Sequence, residues 1–178
     1  VAPVGYAVRG GALADDLRRY KSEHADPASA AAAGRLRWLL TRFLAEHGPA
    51  VWAAAGMAAG PAAVAVVPTG RGRPGAHPLA GLVRACVGLP LVRLATVPAE
   101  VHSRAVNPRW LRVLDQVTGT DVLVIDDMWV SGGSAQSAAS ALKLAGAARV
   151  AVVVLGRHVN PEDPRSGRFL AALPDTPA

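Results

Sequence analysis

Short apolar runs alternate with amphipathic stretches along most of this chain, and their spacing predicts a mixed α/β protein. Leu13, Leu17 and Tyr20 recur at helical intervals, so the first 48 residues read as helical. Asp26-Pro27 has the form of an N-cap followed by proline at the first helical position. Leu36, Leu39, Leu40, Phe43, Leu44 and His47 then extend one apolar stripe as far as Gly48-Pro49, which reads as a stop. Residues 50–61 read as an Ala/Gly linker or a short hairpin. From residue 62 the period changes. A strand over 62–67 leads into a loop over 68–75, a helix over 78–87 and a strand over 90–94. A long irregular stretch runs to about residue 119. A strand over 122–125, a helix over 134–145 ended by Gly146, and a strand over 149–155 complete the series, and beyond Asn160 a polar, proline-punctuated tail is expected to end loosely. Strands alternating with helices predict a parallel, doubly wound α/β sheet over residues 62–178. Residues 1–61 would sit on it as a helical N-terminal hood, the whole forming one compact domain.

Residues 121–134, Asp-Val-Leu-Val-Ile-Asp-Asp-Met-Trp-Val-Ser-Gly-Gly-Ser, carry the most chemistry. A β-branched run ends in two adjacent carboxylates, Asp126 and Asp127, where open α/β sheets bind their ligands. A hydroxyl- and glycine-bearing turn follows, and then a helix begins. Gly132 and Gly133 let successive N–H groups turn inward, Ser131 and Ser134 offer hydroxyls, and the new helix presents its positive end. Such a turn suits a phosphate monoanion, and the acids beside it suit a vicinal diol. A ribose 5-phosphate unit has both.

This segment resembles the signature of the type I phosphoribosyltransferases: four apolar residues, two acids, an apolar and a variable residue, then a Thr-Thr-Gly-Ala/Gly-Thr/Ser loop. On that resemblance Asp126 and Asp127 hold the ribose hydroxyls and orient a magnesium ion, while Val130, Ser131, Gly132, Gly133 and Ser134 wrap the 5-phosphate. Val130 departs from the pattern, standing where the family often has Thr or, in purine-salvage members, an acid that handles a base proton. One lost hydroxyl costs about 0.5–1.5 kcal/mol, so phosphate binding survives the change, whereas a purine-salvage mechanism relying on that acid is disfavoured.

The resemblance assigns further parts. Thr69-Gly70-Arg71-Gly72-Arg73 follows the first core strand and matches the place of the pyrophosphate loop; its two guanidinium groups suit bidentate contact with phosphate oxygens. The stretch 95–118, holding His102, Arg104, Asn107, Arg109 and Arg112, matches the flexible loop that closes over the reacting centre. Arg104-Ala-Val-Asn107 is similar to an Arg-x-x-Asn found there in the ComF-like, competence-associated branch, and the N-terminal stretch from Tyr6 to Leu17-Arg-Arg-Tyr-Lys21 is similar to that branch as well. Arg104 would join the acids in catalysis. The acceptor would lie over Met128 and Trp129, near Arg157 and His158 at the end of the last strand. Trp129 either stacks on a planar base or fills a gap between hood and core. The implied reaction joins phosphoribosyl pyrophosphate to a nitrogenous acceptor and releases pyrophosphate, with magnesium as cofactor. The alternative is a non-catalytic phosphoribosyl pyrophosphate sensor or DNA-uptake accessory protein.

Composition narrows this picture at four points. The 178 residues are 51% hydrophobic and 18% charged, as expected of a soluble one-domain protein. The net charge of +6 raises the question of nucleic acid. Its excess is concentrated between residues 69 and 115, around the two loops just named, and no aromatic-interleaved basic stripe accompanies it, so a small polyanion is favoured over a duplex. The single Cys86 falls on an apolar helix face with Leu79, Leu82 and Val83 and reads as packing in a reducing, cytoplasmic setting. The uncharged run 50–67 is Ala- and Gly-rich and broken by Gly60-Pro61, so no membrane span is expected, and no leader pattern opens the sequence. A homodimer is left open.

Overall fold

The computed structural model describes residues 1–22, 26–68, 78–98 and 105–171. Five parallel strands form one sheet in the order β1-β7-β6-β2-β3, comprising β1 (Ala2–Val8), β2 (Ala63–Val66), β3 (Leu91–Val92), β6 (Asp121–Trp129) and β7 (Arg149–Val159). A separate antiparallel ribbon joins β4 (Leu94–Thr96) to β5 (Leu111–Val113). Apolar side chains leave both faces of the central strands, as a sheet covered on both sides requires. On one face Val64, Val66, Leu123, Ile125, Val153 and Leu155 pack with α1 (Ala12–Arg19), α2 (Pro27–Ala54) and α3 (Pro78–Cys86). On the other, Ala63, Ala65, Val122, Val124, Val152 and Val154 pack with α4 (Gly133–Leu144), the ribbon and a 3-10 turn at Pro108–Trp110. The expected doubly wound α/β sheet is therefore present.

Four local expectations change. The N-terminal stretch is not helical from its start: Ala2–Val8 is an edge strand paired with β7 from Ala2↔Val153 to Val8↔Val159. Gly48-Pro49 does not end the second helix, which runs on to Ala54. Proline at 49 removes one helical N–H, but the turn after it carries Val51, Trp52 and Ala55 onto the core, and that burial offsets the loss. The stop lies eight residues later, at Gly56 with φ +73°. There Met57 N–H bonds to Trp52 C=O at 2.9 Å and Gly56 N–H to Ala53 C=O at 3.0 Å, the paired contacts of a Schellman ending. The stretch 95–118 holds the 3-10 turn and β5 rather than being irregular throughout. Beyond Asn160, residues Pro164–Ala171 form α5, whose Phe169 sits edge-on to Tyr6 of β1 at 5.0 Å.

Among the described residues no helix is long and apolar enough to cross a membrane, and the uncharged run 50–67 is divided between the end of α2, a turn and β2.

Candidate functional site

The chain leaves β2 toward β3 and leaves β6 toward β7, in opposite directions across the sheet. Beyond the carboxyl ends of β2 and β6 the crossovers therefore part and leave a crevice, the usual ligand position in this architecture. Val66↔Ile125 is the last pair between the two strands, and β6 then runs on alone beside β7. Asp126 and Asp127 are the first residues past that fork.

Both acids are buried, each 8% exposed, yet they differ in their partners. Asp126 Oδ1 accepts the backbone N–H of Asp127 at 2.9 Å. Burial, together with the Asp127 charge, pushes Asp126 up to about 7, against the opposing pull of that backbone bond and of Lys21. At neutral pH it is poised between its acid and carboxylate forms. Asp127 Oδ2 accepts the Tyr20 hydroxyl at 2.6 Å and pairs with Lys21 Nζ at 2.6 Å. Burial and the adjacent Asp127 charge raise the Tyr20 hydroxyl far above its ordinary value, so it stays protonated and acts as a donor. One acid is thus anchored and charge-paired; the other is held between its neutral and ionised forms.

The anchoring depends on how closely α1 approaches the sheet. Gly5 and Gly156 are register partners on neighbouring strands. A Cβ at Gly156 would lie 2.5 Å from Leu17 Cδ1 and 3.0 Å from Ala7 Cβ, and one at Gly5 would lie 2.9 Å from Leu13 Cδ2. The two glycines form a groove into which Leu13 and Leu17 settle. Arg35 on α2 fixes the helix from above through Asp16, with contacts of 2.9 and 2.6 Å. The end of α1, Tyr20 and Lys21, then falls over Asp127.

The loop half of the site is built locally. Gly132, with φ +82°, turns the chain into α4, and Gln136 N–H bonds back to its carbonyl at 3.0 Å. Ser131 Oγ accepts Gly133 N–H at 3.4 Å. Ser134 opens the first turn of α4, and Val130 is exposed at the rim. The Trp129 indole lies across Gly132: a Cβ there would collide with Trp129 Cζ2 and Cη2. The ring therefore covers the turn on the α4 side of the sheet. It does not lie between the N-terminal helices and the core.

Ser137, 2% exposed, was not singled out in the sequence, and it ties a third segment to this turn. Its hydroxyl donates to Gly133 C=O at 2.6 Å and accepts Asn107 N–H at 2.9 Å. The Asn of the Arg-x-x-Asn element is thereby docked at the start of α4. Arg104 itself, His102, and the whole of Thr69, Gly70, Arg71, Gly72 and Arg73 lie outside the described residues. Val67, the second residue before that loop, donates its N–H to Ile125 C=O of β6 at 3.0 Å.

Met128 packs on the α1 side of the sheet, against the first core. Arg157 pairs in register with Trp129 on one side and Tyr6 on the other, and its guanidinium stands 5.5 Å from the Phe169 ring centroid. His158 is half-buried. The four residues expected around an acceptor therefore divide between the two faces of the sheet. Tyr20 and Lys21 were missed as site residues because they are more than a hundred positions from Asp127. The signal that points to them is the pair of glycines inside strands, which marks a close approach by another element.

As a direct nest for magnesium the acid pair fits poorly. Asp127 Oδ2 already carries an ammonium and a hydroxyl, Asp126 is only partly ionised at neutral pH, and no group of three or more His, Cys, Asp or Glu side chains gathers into a metal site among the described residues.

No family model matches the sequence, and no curated protein does. Among solved structures, the chain is similar to a purine phosphoribosyltransferase from Pyrococcus horikoshii Ot3, with 13% identity, 82% of this chain and 92% of that one covered, and a TM-score of 0.39. It is also similar to a phosphoribosylpyrophosphate synthetase from Mycobacterium smegmatis, with 20% identity, 88% of this chain covered and a TM-score of 0.42, and it spans 54% of that chain.

Proposed function

We propose that this protein binds phosphoribosyl pyrophosphate and transfers its ribose 5-phosphate to a nitrogenous acceptor, releasing pyrophosphate. The observation that carries the reading is the side-by-side placement, past the fork of β2 and β6, of two buried acids and a left-handed glycine turn that opens a helix. The acids suit the 2- and 3-hydroxyls, and the turn with Ser131 and Ser134 suits the 5-phosphate. The C1–O bond to pyrophosphate breaks with its electron pair leaving on the diphosphate. The acceptor nitrogen supplies the pair for the new C1–N bond and gives up a proton, which the departing diphosphate or water takes. Positive character grows on the ribose between these events, next to the charged Asp127, so catalysis would come from positioning and charge stabilisation with no side-chain nucleophile. Arg71, Arg73 and Arg104 are the candidates to receive the diphosphate, and magnesium would accompany it, held by the substrate's oxygens.

A second reading, binding without turnover, is favoured by one observation. The exposed Val130 offers no proton-handling group to an acceptor. Thermal unfolding with magnesium and excess phosphoribosyl pyrophosphate tests the shared part of both readings, with about 2.7 kcal/mol of stabilisation expected at a hundred times the dissociation constant. Ser134→Ala should blunt the gain. Pyrophosphate release with a panel of bases supports transfer; saturable binding without release from any of them supports the sensor.

A further inference from the structure

Two carboxylates on consecutive residues, each 8% exposed, form a strongly unfavourable pair unless a cation stands beside them. The chain supplies that cation itself. Lys21 Nζ is 2.6 Å from Asp127 Oδ2, and the Tyr20 hydroxyl holds the same oxygen at 2.6 Å. Neither residue is placed there by chance contact of a loose end. α1 is seated in the groove over Gly5 and Gly156 and braced by Asp16 and Arg35, and Tyr20 is itself 5% exposed. The lysine side chain is a third exposed, enough to meet a ligand arriving from solvent. A carboxylate has about four acceptor positions on its two oxygens. The two anchors both sit on Oδ2, so acceptor positions remain on the carboxylate for a hydroxyl.

We propose that Lys21, anchored together with Tyr20, is the resident counter-cation of the acid pair, so that a phosphate-bearing vicinal diol is recognised here without a divalent metal ion. Asp127 Oδ1 takes one ribose hydroxyl and Asp126 the other, while the ammonium supplies the positive charge that a bound metal would supply at an unpaired acid couple. This rests on the reading of the site as one for ribose 5-phosphate, and it adds two residues to that site. Lys21 and Tyr20 are positioning residues: they act through Asp127.

Ribose 5-phosphate is the probe, because it carries the diol and the monoester but no diphosphate to bring magnesium with it. Calorimetric titration of the wild-type protein should give the same affinity in chelator and in magnesium. Lys21→Met should bind at least tenfold more weakly in chelator and regain most of that loss in magnesium, whereas Lys21→Arg should stay metal-independent. A wild type that binds only with magnesium overturns the inference, as does a Lys21→Met protein that matches the wild type in chelator. Circular dichroism checks that the variants fold. If Lys21→Met does not fold, Tyr20→Phe takes its place: a severalfold loss in chelator that magnesium reduces is expected, and no change overturns the inference. A wild type that fails to bind the sugar under either condition removes the ribose 5-phosphate reading itself, an outcome distinct from binding that ignores Lys21.

Discussion

The two halves of the candidate site are held in place by opposite means. The loop half, Ser131 to Ser134, takes its shape from neighbours within a few residues: a left-handed glycine, a helix start and two hydroxyls, of Ser131 and Ser137, bonded to the Gly133 backbone. The acid half is two consecutive residues whose environment comes from an element 107 positions earlier in the chain. A local half is fixed by its own backbone and tolerates rearrangement elsewhere. A half assembled across the fold inherits every error in the packing between its elements. The same β6 strand feeds both, so variants can be chosen that strike one half and spare the other.

The largest difference is expected in pH dependence, and it belongs to the acid half alone. Asp126 has an ordinary value of 3.8 and lies at about 7 when folded. Between those values the folded protein holds a proton that the unfolded chain has released, so raising the pH costs stability across this window. The loss begins near pH 4, is complete by about pH 8 and amounts to on the order of 4 kcal/mol, about 3 of it between pH 5 and pH 8. Urea denaturation at pH 5 and pH 8 in chelator should show the fall. Asp126→Asn, which removes the titrating group, should flatten it, with Tyr20, Lys21 and Asp127 left to contribute as before. A wild type equally stable at both pH values would mean that the acid is solvated and that the loop half is the only one with a built environment.

A second strike on the same half comes from beneath α1. Gly156→Ala puts a methyl group 2.5 Å from Leu17 Cδ1, and Leu17 is 1% exposed with little space to yield. Overpacking of this kind costs about 2 kcal/mol. It should also lift the end of α1, weakening ribose 5-phosphate binding in chelator while leaving the affinity for inorganic phosphate unchanged. Loss of both affinities together would show that the halves are mechanically joined.

This contrast also explains what could be read from the sequence. The loop half was legible because its chemistry and its geometry are written in the same fourteen residues: acids, hydroxyls and glycines in one run, followed by a helical pattern closed at Gly146. The sheet was legible because buried parallel strands leave uninterrupted β-branched runs such as Val122–Ile125. What failed were the features decided by tertiary packing. Ala2–Val8 lacks the β-branched density of a central strand and becomes an edge strand by pairing with β7. Gly48-Pro49 looks like a helix stop, yet Val51 and Trp52 bury enough apolar surface to carry the helix through it to Gly56. The ribbon strands Leu94–Thr96 and Leu111–Val113 are too short for a periodicity to show. Lys21 reads as a solvated charge at a helix end, and only the seating of α1 reveals its acid.

The smallest expected effect, about 1 kcal/mol, belongs to Gly132→Ala, and it tests whether the loop half is as self-contained as its contacts imply. A methyl group at φ +82° costs that much in backbone energy alone. It would also displace the Trp129 ring from across the turn, a smaller further cost because the indole is half-buried and can swing outward. Trp129→Ala removes the collision and leaves the backbone cost. Denaturation of the wild type, both single variants and the double variant should therefore show positive coupling: the double variant loses less stability than the two single losses added together. Inorganic phosphate affinity should fall in Gly132→Ala, while the response of ribose 5-phosphate binding to Lys21→Met should persist in that background. Strictly additive losses would mean that the ring does not rest on the turn. Disappearance of the Lys21 response would mean that a change confined to the local half reaches the assembled one, and the division between them would have to be redrawn along β6 itself.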